Sequence, residues 1–163
     1  MNFDQAFHQL IGNEGGYSNN PADPGGETMW GVTARVARAH GYSGPMRDLP
    51  LATAQAIAKA EYWNPYKCDQ LPPAVRFQVL DAAYNGGHPA QWLQRAAGVA
   101  VDGDIGPVTL AALAKADPDK ITMRFDAYRL KYMASLRGEL PAFAAGWMNR
   151  IADNLIVGAS DGA

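Results

Sequence analysis

Apolar residues recur at helical spacing along most of the chain, and turn residues separate the periodic stretches. The first stretch covers residues 3–11, where the apolar positions fall on one side of an amphipathic helix. Gly15 and Gly16 then supply a helix stop. From 17 to 31 the chain is rich in Asn, Pro, Asp and Gly, which predicts an irregular loop or a small β-hairpin.

Helix-starting prolines and Asx or Thr caps predict the remaining helices. Thr33 is placed to cap a short helix that ends at Gly41. Further helices are expected over 51–63, from Pro73 to Gly86, from Pro89 to Gly98, after Pro107, after Asp117-Pro118 and after Pro141. On the long helix after Asp117, the inward positions would be Ile121, Phe125, Tyr128 and Tyr132. The pattern predicts a mainly α fold with a small irregular or β-hairpin segment.

Composition and charge exclude several classes of protein. The 163 residues are 48% hydrophobic, which suits one compact globular domain. The net charge is -2 without a dense Lys/Arg run, so a nucleic-acid partner is not expected. No window approaches the roughly 18 apolar residues of a membrane span, and the first residues lack a basic leader with an apolar stretch. We therefore expect no stable membrane insertion and no secretory signal.

The residue types that bind metals or act as nucleophiles do not have the spacing of a known site in this sequence. Cys68 is the only cysteine, so an intramolecular disulfide is excluded, and we interpret it as a small core residue. His8, His40 and His88 lack the spacing of metal ligands. The DGDIG stretch at 102–106 resembles a fragment of a calcium loop without its full ligand set, and we interpret it as a turn. No metal or organic cofactor is expected.

Glu14 is the strongest candidate for a catalytic group. It follows Leu10 by four residues and Ile11 by three, so its carboxyl group projects from the apolar face of the first helix. The helix C-terminus also disfavours a negative charge there. Partial burial and the helix dipole would both raise the pKa, as a general acid for glycosidic bonds requires. The alternative is a surface glutamate at a frayed helix end.

Two polar residues in the following loop could complete a catalytic set. Asp23 would stay ionised in a polar loop, so that the two carboxyl groups differ in environment, as in glycosidases. The Thr28 hydroxyl could help to hold a water molecule. The alternatives are an Asx turn before Pro24 for the aspartate and a backbone hydrogen bond in the hairpin for the threonine.

Four further residues are candidates for substrate binding. Tyr17, Trp30 and Trp147 could stack on the apolar faces of sugar rings, and Asn85 could bind an N-acetyl group or hydroxyls. The alternative is that the tryptophans belong to the core. For Trp147, whose apolar neighbours recur at helical spacing, the core is the better interpretation.

The stretch NEGGYSNNPADPGGETMWGVT resembles the opening motif of glycoside hydrolase family 108 muramidases. These are lysozyme-like proteins of phage endolysins and some bacterial secretion loci. The family pattern of Glu-Gly-Gly-Tyr, Asp-x-Gly-Gly-x-Thr and Gly-Ile/Val-Thr is matched at 14–17, 23–28 and 31–33. The resemblance continues through YW at 62–63, LP at 71–72 and DAAYNGG at 81–87.

The segment from about 92 to 157 resembles the peptidoglycan-binding region that follows in this family. Its clearest parts are WLQRAAGVAVDGDIGPVTLAAL and, near the end, GWMNRI at 146–151. The predicted organisation is a lysozyme-like catalytic region over 1–90 and a helical peptidoglycan-binding region over 91–157, packed in one compact domain. Residues 158–163 would form a tail.

The resemblance implies a lysozyme-like fold, with an active-site cleft beside the C-terminus of the first helix and Glu14 as the catalytic acid. The order Glu14, Asp23, Thr28 is also similar to the Glu, Asp, Thr constellation of phage-type lysozymes. The implied activity is hydrolysis of the β-1,4 bond between N-acetylmuramic acid and N-acetylglucosamine in peptidoglycan glycan strands. We expect a monomer.

The resemblance also implies a cellular location and a role in lysis of the host. An endolysin without a leader would wait in the host cytoplasm until a separate membrane-permeabilising protein released it to the periplasm and cell wall. Two alternatives stay open. A lytic transglycosylase would cleave the same bond without a second carboxylate, and a non-catalytic wall-binding or secretion-accessory protein would need no acid at Glu14.

Overall fold

The chain folds into two compact units: an N-terminal unit, residues 3–65, and a C-terminal unit, residues 1–2 and 66–163. The computed structural model describes residues 1–12, 16–19, 26–136, 144, 146, 148–151 and 153–155. In both units helices dominate, and the strands form one small sheet within the N-terminal unit. The prediction of a mainly α fold with a small hairpin segment is confirmed.

The N-terminal unit combines short helices with this antiparallel sheet. Its elements are α1 (Phe3–Ile11), β1 (Tyr17–Ser18), β2 (Thr28–Met29), β3 (Val32–Thr33), α2 (Ala34–Ala39), a 3₁₀ turn (Met46–Asp48) and α3 (Leu51–Ala58), which continues as a π-helical stretch (Lys59–Trp63). The helix predicted over 51–63 is thus present, with its last turn widened.

The core of the N-terminal unit forms around α1. Its apolar face buries Phe3, Ala6 and Phe7, as the spacing predicted. The Phe3 ring meets the fully buried Trp63 edge to face, with 5.3 Å between ring centroids. Residues 3–7 are therefore an integral part of this unit.

The sheet is a three-stranded meander in the order β1-β2-β3. Met29 pairs with Val32, so the turn between β2 and β3 contains only Trp30 and Gly31. Both have positive φ, 54° and 75°, as a type I′ turn requires. Thr33 then ends β3 and caps α2 by accepting a hydrogen bond from the Val36 amide at 3.3 Å, as predicted.

The C-terminal unit is built from helices that begin at prolines. They are a 3₁₀ turn (Cys68–Gln70), α4 (Pro73–Tyr84), α5 (Pro89–Ala97), α6 (Pro107–Leu113) and α7 (Pro118–Ser135), and residues 148–151 and 153–155 are also helical. Proline suits the first helical position because its missing N–H would have no partner there. These helix starts confirm the sequence predictions.

The α7 helix buries a more polar face than its sequence predicted. Ile121 and Phe125 are buried as expected, but Tyr128 and Tyr132 are only half-buried. Asp126 and Arg129 are buried instead, each 1% exposed. A purely apolar pattern misplaces the inward face because these two charged side chains lie beside another buried charge, described below.

Cys68 is buried in the C-terminal unit, which supports its interpretation as a core residue. Burial, with a contribution from the negative charge of Asp69, raises the pKa of the Cys68 thiol to about 12. The thiol therefore stays protonated and is a poor nucleophile at neutral pH.

Within the described part of the chain, no helix combines the length and the apolarity that crossing a membrane requires.

The Asp126 carboxyl group has no hydrogen-bond partner among the described residues. Burial raises its pKa to about 7, and the negative charge of Asp81 acts in the same direction, although Arg129 opposes both. The folded protein therefore binds a proton on Asp126 at pH values where an aspartate in the unfolded chain has lost it.

This difference makes stability depend on pH. Between about pH 4 and pH 7 the folded state binds more protons than the unfolded state, so the free energy of unfolding should fall as pH rises. Each unit of pKa difference corresponds to about 1.4 kcal/mol, which gives an effect of a few kcal/mol. Asp126→Asn should remove this slope and stabilise the protein above pH 7. Urea denaturation from pH 4 to 8 measures it, with the exposed Asp153→Asn as the control. Parallel pH profiles for wild type and Asp126→Asn would contradict the assignment.

Candidate active site

The predicted site residues fall into two groups. Glu14, Asp23 and Trp147 lie outside the described residues, so their roles stay predictions. The structure describes the other four, of which three lie on the β-hairpin of the N-terminal unit and one at the end of α4: Tyr17, Thr28, Trp30 and Asn85.

Tyr17, Thr28 and Trp30 lie on neighbouring strands or in the turn between them. Tyr17 pairs with Met29 across β1 and β2, and Thr28 pairs with Ser18 on one side and Thr33 on the other. All three predicted residues are half-buried. Because successive side chains of a strand alternate between faces, this register places Tyr17 and Thr28 on opposite faces of the sheet, with Trp30 in the adjacent turn.

Trp30 occupies a backbone conformation that rarely suits a large side chain. A non-glycine residue at φ 54° costs on the order of 1–3 kcal/mol, and most such turns place Asn, Asp or Gly here. The indole is held in this position, since its Nε1–H donates a hydrogen bond to the Leu49 carbonyl oxygen at 3.0 Å. That bond ties the turn to the chain segment just after Met46–Asp48.

The 3₁₀ turn Met46–Asp48 packs against β2 and carries a residue that the sequence analysis missed. The guanidinium carbon of Arg47 lies 4.5 Å from the centroid of the Tyr17 ring, a cation–π contact. One face of Tyr17 is therefore covered by a cation. No periodicity or motif indicates this pairing, because it depends on how the turn folds onto the hairpin.

Asn85 is exposed at the C-terminal end of α4, where its backbone N–H donates to the Asp81 carbonyl oxygen. Its side-chain Nδ2 donates to the same carbonyl at 2.9 Å and to Asp81 Oδ1 at 3.1 Å. Both acceptors require the amide nitrogen to face inward. The orientation of the amide is thereby fixed, and Oδ1 is the atom left to accept a further hydrogen bond.

Asp81 itself is buried, and it organises its surroundings as a hydrogen-bond acceptor. Arg129 Nη1 lies 2.6 Å from its Oδ2 as a fully buried ion pair. Arg150 Nη1 donates to Oδ1 at 2.9 Å and Asn154 Nδ2 donates to Oδ2 at 2.9 Å. We call Asp81 with Arg129, Arg150 and Asn154 the Asp81 cluster. It connects α4, α7 and the helical residues near 150, so it holds Asn85 on a rigid base.

A cavity of about 140 Å³ lies next to this region in the C-terminal unit. Its lining is Tyr66, Gly87, His88, Pro89, Ala90, Gln91 and Gly103. Burial raises the pKa of the Tyr66 hydroxyl, so the phenol is a neutral hydrogen-bonding group. Over the described residues, no group of three or more His, Cys, Asp or Glu side chains is arranged to hold a metal ion.

Comparison with known proteins assigns the chain to a family. A family model described as glycosyl hydrolase 108 matches residues 7–87, and a second model, described as a predicted peptidoglycan domain, matches residues 88–152. A solved structure, that of SagA from Brucella abortus, is 31% identical in sequence with a TM-score of 0.88, over 98% of this chain and 95% of that chain. The chain belongs to glycosyl hydrolase family 108. No curated protein matches it.

The assignment confirms that this family 108 protein is a glycoside hydrolase with a lysozyme-like fold and activity, acting on peptidoglycan. The hydrolase match includes the motif with Glu14 and Asp23 and also α4 with Asp81 and Asn85. The α4 helix nevertheless packs in the C-terminal compact unit. The Asp81 cluster thus joins the last helix of the hydrolase match to residues of the peptidoglycan-domain match.

The cluster predicts unequal effects of substitutions in this family 108 hydrolase. Asp81→Asn leaves the buried Arg129 without its charged partner and should lower the free energy of unfolding by about 3–5 kcal/mol. Arg150→Gln removes a donor that is 40% exposed and should cost under about 1 kcal/mol. Urea denaturation at pH 7 compares the two variants. If Asp81→Asn were as stable as Arg150→Gln, the buried pair would not be a main stabilising contact.

Proposed function

We propose that this family 108 hydrolase is an endolysin-type N-acetylmuramidase that hydrolyses the β-1,4 bond between N-acetylmuramic acid and N-acetylglucosamine. The observation that carries the proposal is the family match over 7–87, which contains the Glu-Gly-Gly-Tyr motif with Glu14. The peptidoglycan-domain match over 88–152 supports the same substrate.

Glu14 is proposed as the general acid. In the sequence it comes three residues after Ile11, where α1 ends. In the reaction, Glu14 donates its proton to the bridging oxygen. The bond from this oxygen to C1 of N-acetylmuramic acid breaks, and the oxygen leaves as the 4-hydroxyl of N-acetylglucosamine. Water adds its oxygen to C1 of N-acetylmuramic acid, and its proton is released to a base.

Asp23 and Thr28 are proposed to assist the water or the developing positive charge on the sugar ring. Thr28 lies on β2, beside the paired strand that carries Tyr17. Because the Thr28 side chain is half-buried, it can hydrogen-bond water while its backbone stays in the sheet. Asp23 comes five residues earlier in the chain, within the same motif.

Four residues are proposed to bind the glycan: Tyr17, Trp30, Asn85 and Trp147. Asn85 has the clearest chemistry, since its fixed amide presents Oδ1 to accept a hydrogen bond from an N-acetyl N–H or a hydroxyl. Aromatic rings such as Trp30 offer flat apolar surface to the C–H faces of sugars. Each of these contacts would help to bind the glycan strand whose glycosidic oxygen Glu14 protonates.

We further propose that the enzyme resides in the host cytoplasm until a membrane-permeabilising protein admits it to the periplasm and wall. This proposal rests on the resemblance of the motif at 14–33 to phage endolysins. We also propose that it acts as a monomer and causes host lysis.

The central test of the catalytic assignment is Glu14→Gln. The substitution keeps size and hydrogen bonding but removes the transferable proton, so turnover on purified peptidoglycan should fall by about 100- to 10,000-fold. Asp23→Asn should reduce turnover by a smaller factor if it only orients water. Glu61→Gln, which changes an exposed glutamate of the N-terminal unit, serves as the matched control and should retain activity. Near-native turnover of a folded Glu14→Gln variant would show that the acid is misassigned.

Delivery can be tested in cells. Cytoplasmic expression in a Gram-negative bacterium should leave cell density unchanged, and permeabilising the inner membrane should then cause rapid lysis, because the substrate lies beyond that membrane. Turbidity measures both stages. Cells that express Glu14→Gln should not lyse faster than cells with empty vector. Spontaneous export of the wild-type protein with loss of an N-terminal segment would contradict the proposed location.

A further inference from the structure

The pairing of Arg47 with Tyr17 places a cation beside the motif that carries the catalytic assignment. Arg47 is exposed, and its guanidinium carbon lies 4.5 Å from the centroid of the Tyr17 ring. Tyr17 follows Glu14 by three residues in the chain. Since the Arg47 side chain is exposed, guanidinium N–H groups that point away from the ring are accessible to a ligand.

The position of this cation is determined by the strained turn of the hairpin. The Trp30 indole N–H is bonded to the Leu49 carbonyl oxygen, directly after the 3₁₀ turn that carries Arg47. That turn also packs on β2. A tryptophan occupies this positive-φ position, where a glycine would relieve the backbone. The observed bond gives a reason, since it fixes the Arg47 turn to the hairpin.

The second arginine–tyrosine pair of this unit shows a different arrangement. Arg38 lies over Tyr42, with 5.7 Å from guanidinium carbon to ring centroid, and its Nη1 donates to the Tyr42 and Gly44 carbonyl oxygens at 2.7 Å each. Those bonds give Arg38 a structural role in a turn. Among the described residues, Arg47 makes no such hydrogen bond and pairs with no carboxylate, including that of its neighbour Asp48.

We propose that Arg47, positioned by Tyr17 and by the Trp30–Leu49 hydrogen bond, binds a carboxylate of the muramic acid side of the glycan strand. A planar guanidinium is suited to bidentate recognition of a carboxylate. N-acetylglucosamine carries no carboxylate, whereas N-acetylmuramic acid carries a lactyl group and its attached peptide. Arg47 would therefore select for peptidoglycan over uncharged glycans and fix the register of the strand.

This inference rests on the proposed function for its ligand, but binding can be measured without cleavage. The background for every variant is Glu14→Gln, so that no substrate is consumed. The probes are soluble N-acetylglucosamine–N-acetylmuramic acid oligomers with free lactyl carboxylates, the same oligomers with stem peptides, the peptide forms with amidated carboxylates, and chitotetraose. Titration calorimetry at low and high salt gives each Kd.

Arg47→Gln should weaken binding of the carboxylated oligomers by about tenfold, the size expected for a charge-assisted hydrogen bond at a partly exposed site, and leave chitotetraose unchanged. Arg47→Lys should restore part of the affinity, because it keeps the charge without the planar fork. High salt should reduce the difference between Arg47 and its Gln variant. The probe that shows the loss identifies the source of the carboxylate, the lactyl group or the stem peptide.

Two further variants separate recognition from general effects. Arg35→Gln removes the same charge from another exposed site of the N-terminal unit and should leave all four affinities unchanged. Trp30→Phe keeps an aromatic ring but removes the donor to Leu49, so it should reduce the preference for carboxylated oligomers over chitotetraose. Circular dichroism confirms that each variant is folded.

Equal weakening of carboxylated and uncharged oligomers by Arg47→Gln, or no weakening of either, would overturn the proposal. These outcomes are independent of the catalytic assignment. If wild-type enzyme failed to cleave peptidoglycan while the Arg47 dependence held, the proposed hydrolysis would be wrong and the carboxylate site would stand. If the enzyme cleaved peptidoglycan without Arg47-dependent selectivity, the proposed hydrolysis would stand and the carboxylate site would be wrong.

Discussion

The buried carboxylate of Asp81 is the interaction on which the C-terminal unit depends. A charge that is nearly inaccessible to water is stable only with close partners, and Asp81 has Arg129, Arg150, Asn154 and the Asn85 amide around it. These partners, Arg129 through an ion pair and the others through hydrogen bonds, come from three separate stretches of chain, so one carboxylate specifies how they meet. Oδ1 of this carboxylate, together with the Asp81 backbone carbonyl, fixes the direction of the Asn85 amide at the surface. The cluster thus contributes to stability and also fixes the orientation of Asn85, a proposed glycan-binding residue.

In the N-terminal unit, a side-chain hydrogen bond stabilises a strained backbone position. Its two-residue turn places Trp30 in a left-handed conformation, and the Leu49 hydrogen bond compensates by anchoring the indole. As a result the hairpin, the 3₁₀ turn and Arg47 are connected around Tyr17. Groups that must meet a polysaccharide gain from such connections, because less conformational freedom is lost on binding.

Local signals allowed most of the helices to be predicted from sequence. Helices begin at Pro73, Pro89, Pro107 and Pro118, and Thr33 caps α2. These features could be predicted because they depend only on neighbouring residues. The buried pair of Asp81 and Arg129 could not be predicted, since it joins residues 48 positions apart and contradicts the usual placement of charges. The contact of Arg47 with Tyr17 was missed for the same reason. Of the candidate site residues, Glu14 and Asp23 rest on their motif and helix context, whereas the network behind Asn85 required the structure.

The family assignment shows a peptidoglycan hydrolase, and we propose that water attacks the muramic acid carbon after Glu14 donates its proton. The measurement that tests this chemistry most directly is mass spectrometry of the glycan fragments released from purified peptidoglycan in ¹⁸O-labelled water, with reduction of new ends immediately after quenching. The account predicts reducing muramic acid ends that carry the heavy oxygen. Predominantly 1,6-anhydromuramic acid ends, formed without incorporation of water, would contradict it and would identify the enzyme as a lytic transglycosylase.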